Sequence, residues 1–210
     1  MTEPRPRRPA REPHPRNEAL KLQHRLVRAV LMKTVGVEEE ALPAFDSRLR
    51  HILAQGLGPQ SPPYPAGKGN RREYSLTDTL NLALTLQIQR AFVDPVIAAA
   101  FILEERAALV PAWRTAVGTM QPLWLELELD AFARITHKEI AMGRRGAVRI
   151  ADKRDPKRGV QPAPRLHIDL AAVVNRVGGA LIAAGVSASA ISEALHELRT
   201  GGDGQLLPQE

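Results

Sequence analysis

Leucine recurs in two incompatible rhythms along this chain, and the change from one to the other limits its architecture more than any other feature. Between residues 17 and 35, Leu20, Leu22, Leu26, Val27, Val30, Leu31 and Val35 fall largely at three- and four-residue steps, the spacing that lines one side of an α-helix. From residue 123, Leu123, Leu125, Leu127 and Leu129 alternate with Trp124, Glu126, Glu128 and Asp130. That period of two marks a half-buried strand. The expected fold class is therefore mainly α with a small α+β part.

Turn and cap signals divide the helical half. Gly36 can end the first helix in a left-handed cap, and Glu38, Glu39 and Glu40 follow as an acidic connection. Pro43 is expected to prevent simple helix continuation from before it. Asp46 is a candidate N-cap for a second helix to about Gln55, stopped by Gly56. Leu49, Ile52 and Leu53 would face a core, Ser47, Arg48 and His51 would lie towards solvent, and Arg50 would sit at a flank. Residues 58–72 contain Pro59, Pro62, Pro63, Pro65, Gly67 and Gly69, ending in Lys68, Asn70, Arg71 and Arg72. Such a composition suits a loose hairpin or flap presenting cations, not a helix. Thr77 or Asp78 can cap a third helix through about Arg90, and Asp94-Pro95 opens a fourth to about Leu109.

Beyond the alternating segment, 147–151 and 165–170 read as two further strands, and 170–184 and 188–199 as helices. The Trp124, Glu126 and Glu128 side of the first strand is either an open face for dimerisation or partner recruitment, or a packed strand with its acids in water. These patterns predict a Pro/Arg-rich arm at 1–16, a helical domain at 17–112 and a small α+β domain at 113–200. The domain boundary is expected within 113–122, and a flexible tail at 201–210. The arm alternates Pro4, Pro6, Pro9, Pro13 and Pro15 with arginines, so it lacks the donors and apolar mass of a folded segment.

Aromatic residues make up only 4% of the 210 residues, so a core must be built from Leu, Ile, Val and Ala, which favours helices. The formal net charge of +6 suits a polyanionic partner, because Lys and Arg beside phosphates release condensed counterions. Cysteine is absent, which excludes disulfides, thiolate metal sites and cysteine nucleophiles and fits a reducing cytoplasm. No apolar signal-peptide core follows the N-terminal arginines. The longest apolar run, 96–103, is too short to cross a bilayer. The expected location is the cytoplasm.

Two spacings point to a family. Leu49-Arg50 is followed by Gly56-Leu57, and then by Arg72-Glu-Tyr74-Ser75-Leu-Thr-Asp78. This order resembles the MerR-type winged helix-turn-helix, which pairs Leu-Arg with a later Gly-Leu and ends its wing in Arg-x-Tyr-Ser-x-x-Asp. The resemblance spans about 30–103, under half the chain, and leaves an unrelated C-terminal domain. Ile52 stands where the family usually has a phosphate-binding Tyr. About seven extra residues lie between Gly36-Val37 and Leu49, and the family's long coiled-coil helix is missing. What the resemblance implies is an N-terminal winged helix that holds double-stranded DNA. Arg50, Arg72 and Tyr74 would meet phosphate, Ser47 and Arg48 would lie on the groove-facing helix, and Lys68 and Arg71 would add wing charge. Arginine suits these roles because its guanidinium forks onto phosphate or guanine.

Catalytic chemistry finds no candidate. His167 and Asp169 share one strand face but show no third metal ligand in sequence, and a structural role is preferred. His137-Lys-Glu139 lacks a second histidine. Ser187, Ser189 and Ser192 read as caps or surface, and Gly67-Lys-Gly69 and Gly143-Arg-Arg-Gly146 fit no phosphate cradle. The expectation is a non-enzymatic regulator without cofactor or metal, working as a homodimer or with a transcription-machinery protein through its C-terminal domain. The rival is an interaction or assembly protein, such as a phage-like DNA-packaging component or an RNA polymerase accessory factor.

Overall fold

The structure, a computed structural model, describes residues 20–59, 73–119, 121–128, 148–151 and 165–201. The arm 1–16, the cations Lys68, Arg71 and Arg72, the loop 152–164 and the tail from 202 lie outside the described residues. The chain is mainly helical with two small sheets.

A two-residue strand, β1 (Leu22–Gln23), leads into helix α1 (His24–Val35). The first helix is therefore shorter than its leucine spacing predicts. Leu22 belongs to β1, where it lies opposite Tyr74 of β2 (Glu73–Tyr74) in an antiparallel pair. Gly36, at φ +65°, closes α1 in the left-handed conformation glycine adopts without a Cβ penalty.

A 3-10 turn, Glu39–Ala41, feeds α2 (Leu42–Ala54). This helix begins four residues earlier than the sequence suggests. Pro43 occupies its first turn, where a missing N–H forfeits no intrahelical bond. Asp46 is thus inside the helix and caps nothing. Phe45, Leu49 and Ile52 form the buried side of α2, and α2 packs on α4 (Pro95–Glu104).

Helix α3 (Leu76–Gln89) starts with a reciprocal capping box, Ser75 Oγ accepting from Asp78 N and Asp78 Oδ2 from Ser75 N. The cap therefore falls on Ser75, ahead of Thr77 and Asp78. Apolar residues surround most of α3, and Thr79, Asn81 and Thr85 are buried with them. The Thr hydroxyls satisfy themselves on backbone carbonyls one turn back. Asp94 caps α4 as its Asp-Pro pair predicts, accepting from Val96 N and Ile97 N. The expected single helix to Leu109 instead breaks at Glu105, and α5 (Arg106–Gly118) runs on with Pro111 inside it.

The second sheet has order β4-β3-β5, with β3 (Trp124–Glu128) central and antiparallel to both β4 (Val148–Ala151) and β5 (Arg165–Asp169). Leu123, Leu125 and Leu127 are buried, as their alternation requires. Helices α6 (Leu170–Ala183) and α7 (Ala188–Thr200) complete the chain. Asp169 caps α6 by accepting from Ala171 N and Ala172 N, and also accepts from Leu123 N.

Residues 113–122 do not separate one core from another. Helix α6 packs on α1, α3 and α5, and α7 packs on α5. One hydrophobic cluster runs from Leu22 to Leu198. Trp113 is fully buried and its indole N–H donates to Asn81 Oδ1 at 2.9 Å, from the later turns of α5 back into α3. An apolar helix such as α6 has to bury its stripe somewhere, and the faces of α1 and α3 supply the partner.

Candidate nucleic-acid interface

The corner where α1, α2 and β2 meet gathers most of the described cationic candidates. Helical geometry puts Ser47, Arg50 and His51 on the solvent side of α2, opposite Phe45, Leu49 and Ile52. All three are exposed, and so is Arg48. Arg48 lies at one margin of that side, in a shallow hollow shared with Glu38 and Arg90. The acidic residues Glu38–Glu40 weaken the positive potential there. Ser47 and Arg50 face away from them.

Asp46 flanks the other margin and has a structural role. Its carboxylate takes a two-pronged bond from Arg28 of α1, Nε to Oδ1 at 2.6 Å and Nη2 to Oδ2 at 2.8 Å. This fork fixes the angle between α1 and α2 through two parallel charge-assisted bonds. The Arg28 hydrogen bond holds the Asp46 carboxyl below the usual carboxylate range, with added attraction from Arg28, Arg50 and His24. The same bond raises Arg28.

His24 also ties this corner to the second strand. Its Nδ1 lies 3.0 Å from the Tyr74 hydroxyl, with the rings 5.8 Å apart. Tyr74 is 1% exposed and sits among the core residues. Its expected role at phosphate is therefore corrected: a phenol packed under β1 with its hydroxyl on His24 does not present itself to a duplex. The exposed side chain at this position is His24, which sequence reasoning passed over. The signal that could have found it is its place beside Arg25, a second cation at the start of α1.

Strand β2 begins at Glu73, and its pairing with β1 sets it beside the start of α1. Lys21 and Glu73 add an exposed ion pair at 3.6 Å across that pairing. Lys68, Arg71 and Arg72 themselves lie outside the described residues.

Elsewhere, the alternating strand yields a correction of its own. Glu126 is not in water: it is 6% exposed, opposite His167 on β5, with Oε1 3.6 Å from His167 Nδ1. Asp169, the other half of the conceivable metal pair, is committed to capping α6. Among the described residues no three or more His, Asp or Glu converge on a point, and no helix is long and apolar enough to cross a membrane.

Comparison of the chain with protein-family models, with curated proteins and with solved structures finds no match.

Proposed function

We propose that the chain is a double-stranded DNA-binding transcriptional regulator, with α2 as its recognition helix and residues 58–72 as its wing. It acts without chemistry, by occupying a site or positioning the transcription machinery. The observation that carries this reading is the corner itself. Ser47 and Arg50 stand exposed on α2, which the Arg28–Asp46 fork ties to α1. An exposed arginine on the solvent side of a helix is the arrangement by which a recognition helix can meet backbone phosphate.

In this reading Arg50 and Arg72 meet backbone phosphate, Lys68 and Arg71 add wing charge, and Ser47 and Arg48 enter the groove. Arg50 is the best supported of these, because Arg48 shares its hollow with Glu38. Self-association or contact with a transcription-machinery protein, in the cytoplasm, completes the reading. Because the helices on both sides of 113–122 share a core, the test needs the full chain: a fragment ending at Leu109 would strip α6 and α7 from the faces they cover. Full-length protein with Arg50→Ala or Arg72→Ala should bind duplex DNA more weakly, with the salt slope falling by about 0.9 for each phosphate no longer neutralised. Unchanged binding in both variants would reject the assignment.

A further inference from the structure

A cavity of about 490 Å³ opens between the end of α3, the β3 and β5 strands and the first turns of α6. Its volume lies in the ordinary range of small-molecule sites, and its lining combines three kinds of group. Trp124 and Leu166 give it an apolar wall. Arg176 lines it from α6, and Arg90, whose guanidinium bonds the Val35 carbonyl in the neighbouring hollow, lies on the wall between the two. Gln87 and His167 each bring a buried nitrogen, Nε2 and Nδ1, that makes no hydrogen bond among the described residues.

Of the charged lining groups two are arginines and one is Asp169, with the Glu126 carboxylate 3.6 Å from His167 Nδ1. The Asp169 carboxylate at its rim is spent on the backbone N–H groups of Leu123, Ala171 and Ala172. Arg90 uses one donor on the Val35 carbonyl at 3.3 Å, which leaves the rest of its five. Arg176 is exposed on α6. A buried donor without an acceptor is costly, and such orphans in a cavity wall are where a ligand oxygen gains most. An indole face with guanidinium groups beside it also accommodates a flat ring better than a flexible chain.

We propose that this cavity is a binding site for a planar aromatic monoanion, its ring against Trp124 and Leu166 and its anionic group between Arg90 and Arg176, in reach of Gln87. The site adjoins the hollow of Arg48 through Arg90, which lines both, and does not depend on the DNA-binding reading.

The test uses the full-length protein and two probes of equal shape, naphthalene-2-carboxylate and naphthalene-2-carboxamide, titrated by calorimetry and by tryptophan fluorescence. The carboxylate should bind one-to-one, at least tenfold tighter than the carboxamide. Arg176→Glu should remove most of that preference, and circular dichroism should show an unchanged fold because Arg176 is exposed. Trp124→Phe should abolish the fluorescence response and weaken carboxylate binding, since Trp113 is buried elsewhere against Asn81. Absence of saturable carboxylate binding, equal affinity for the two probes, or an Arg176→Glu protein that keeps the preference would each overturn the proposal.

Discussion

Replacing Asn81 with alanine probes the joint that makes α3 and α5 one body. Asn81 and Trp113 are both buried, and their 2.9 Å bond gives the indole a polar partner deep between the helices. Removing the amide strands the indole N–H away from water, at about 1–3 kcal/mol. The small void left behind adds about 0.5–1 kcal/mol. The expected loss is therefore about 1.5–4 kcal/mol, a sizeable share of the roughly 5–15 kcal/mol of a typical domain. In urea, where the slope is about 1–3 kcal/mol per molar, the midpoint should fall by about 1 M with an unchanged slope. Far-UV circular dichroism is the appropriate probe, because a double-mutant cycle with Trp113→Phe removes one of the two tryptophans. The cycle should show coupling above about 0.5 kcal/mol, and wild type should unfold in a single transition because the core is continuous. An Asn81→Ala cost under about 0.5 kcal/mol, or two separate transitions, would refute the reasoning.

Three further outcomes follow from particular side chains. Arg28 holds the Asp46 carboxyl below its unfolded value, so its stabilisation is complete above the ordinary carboxylate range and is lost as pH falls through and below about 4. Acid unfolding of Asp46→Asn should show a shallower pH dependence there than wild type, modest in size because the pair is about a third exposed; identical acid limbs would remove the fork from the account. Phe92 is fully exposed at φ +63°, a left-handed conformation that costs a non-glycine residue about 1–2 kcal/mol. Phe92→Gly should be neutral or stabilising by up to about 1 kcal/mol in thermal denaturation after the entropic cost of glycine, and a clear destabilisation would show that the ring packs. Tyr74→Phe should cost about 0.5–1.5 kcal/mol in urea through removal of the His24 bond yet leave duplex affinity unchanged; a large affinity loss at constant stability would restore Tyr74 to the interface.

Elements whose pattern and punctuation agree could be read directly from the residues. Asp94-Pro95 starts α4 where a cap followed by proline should, and the leucine alternation at 123–127 gives β3 with its buried face. What could not be read was set by partners distant in sequence. Leu22 scans as part of a helical stripe, but pairing with Tyr74 makes it strand. Pro43 scans as a stop, but a first-turn position tolerates it. Asp46 scans as a cap because its partner, Arg28, lies on another helix. Glu126 scans as a solvated acid, and only the β3–β5 register reveals His167 beside it. For the candidate interface, the exposure of Ser47, Arg48 and His51 agrees with the three- and four-residue spacing of the apolar side of α2. Tyr74 was assigned from a motif, which carries no information on burial.

The most direct test of DNA binding is the salt dependence of duplex affinity for the full-length protein and for Arg50→Ala, measured by fluorescence anisotropy on a random duplex two helical turns long. If α2 meets phosphate through Arg50, wild-type affinity falls steeply with salt, and the variant binds more weakly with a log–log slope shallower by about 0.9. No measurable duplex binding by wild type at low salt, or identical slopes for the two proteins, would contradict it.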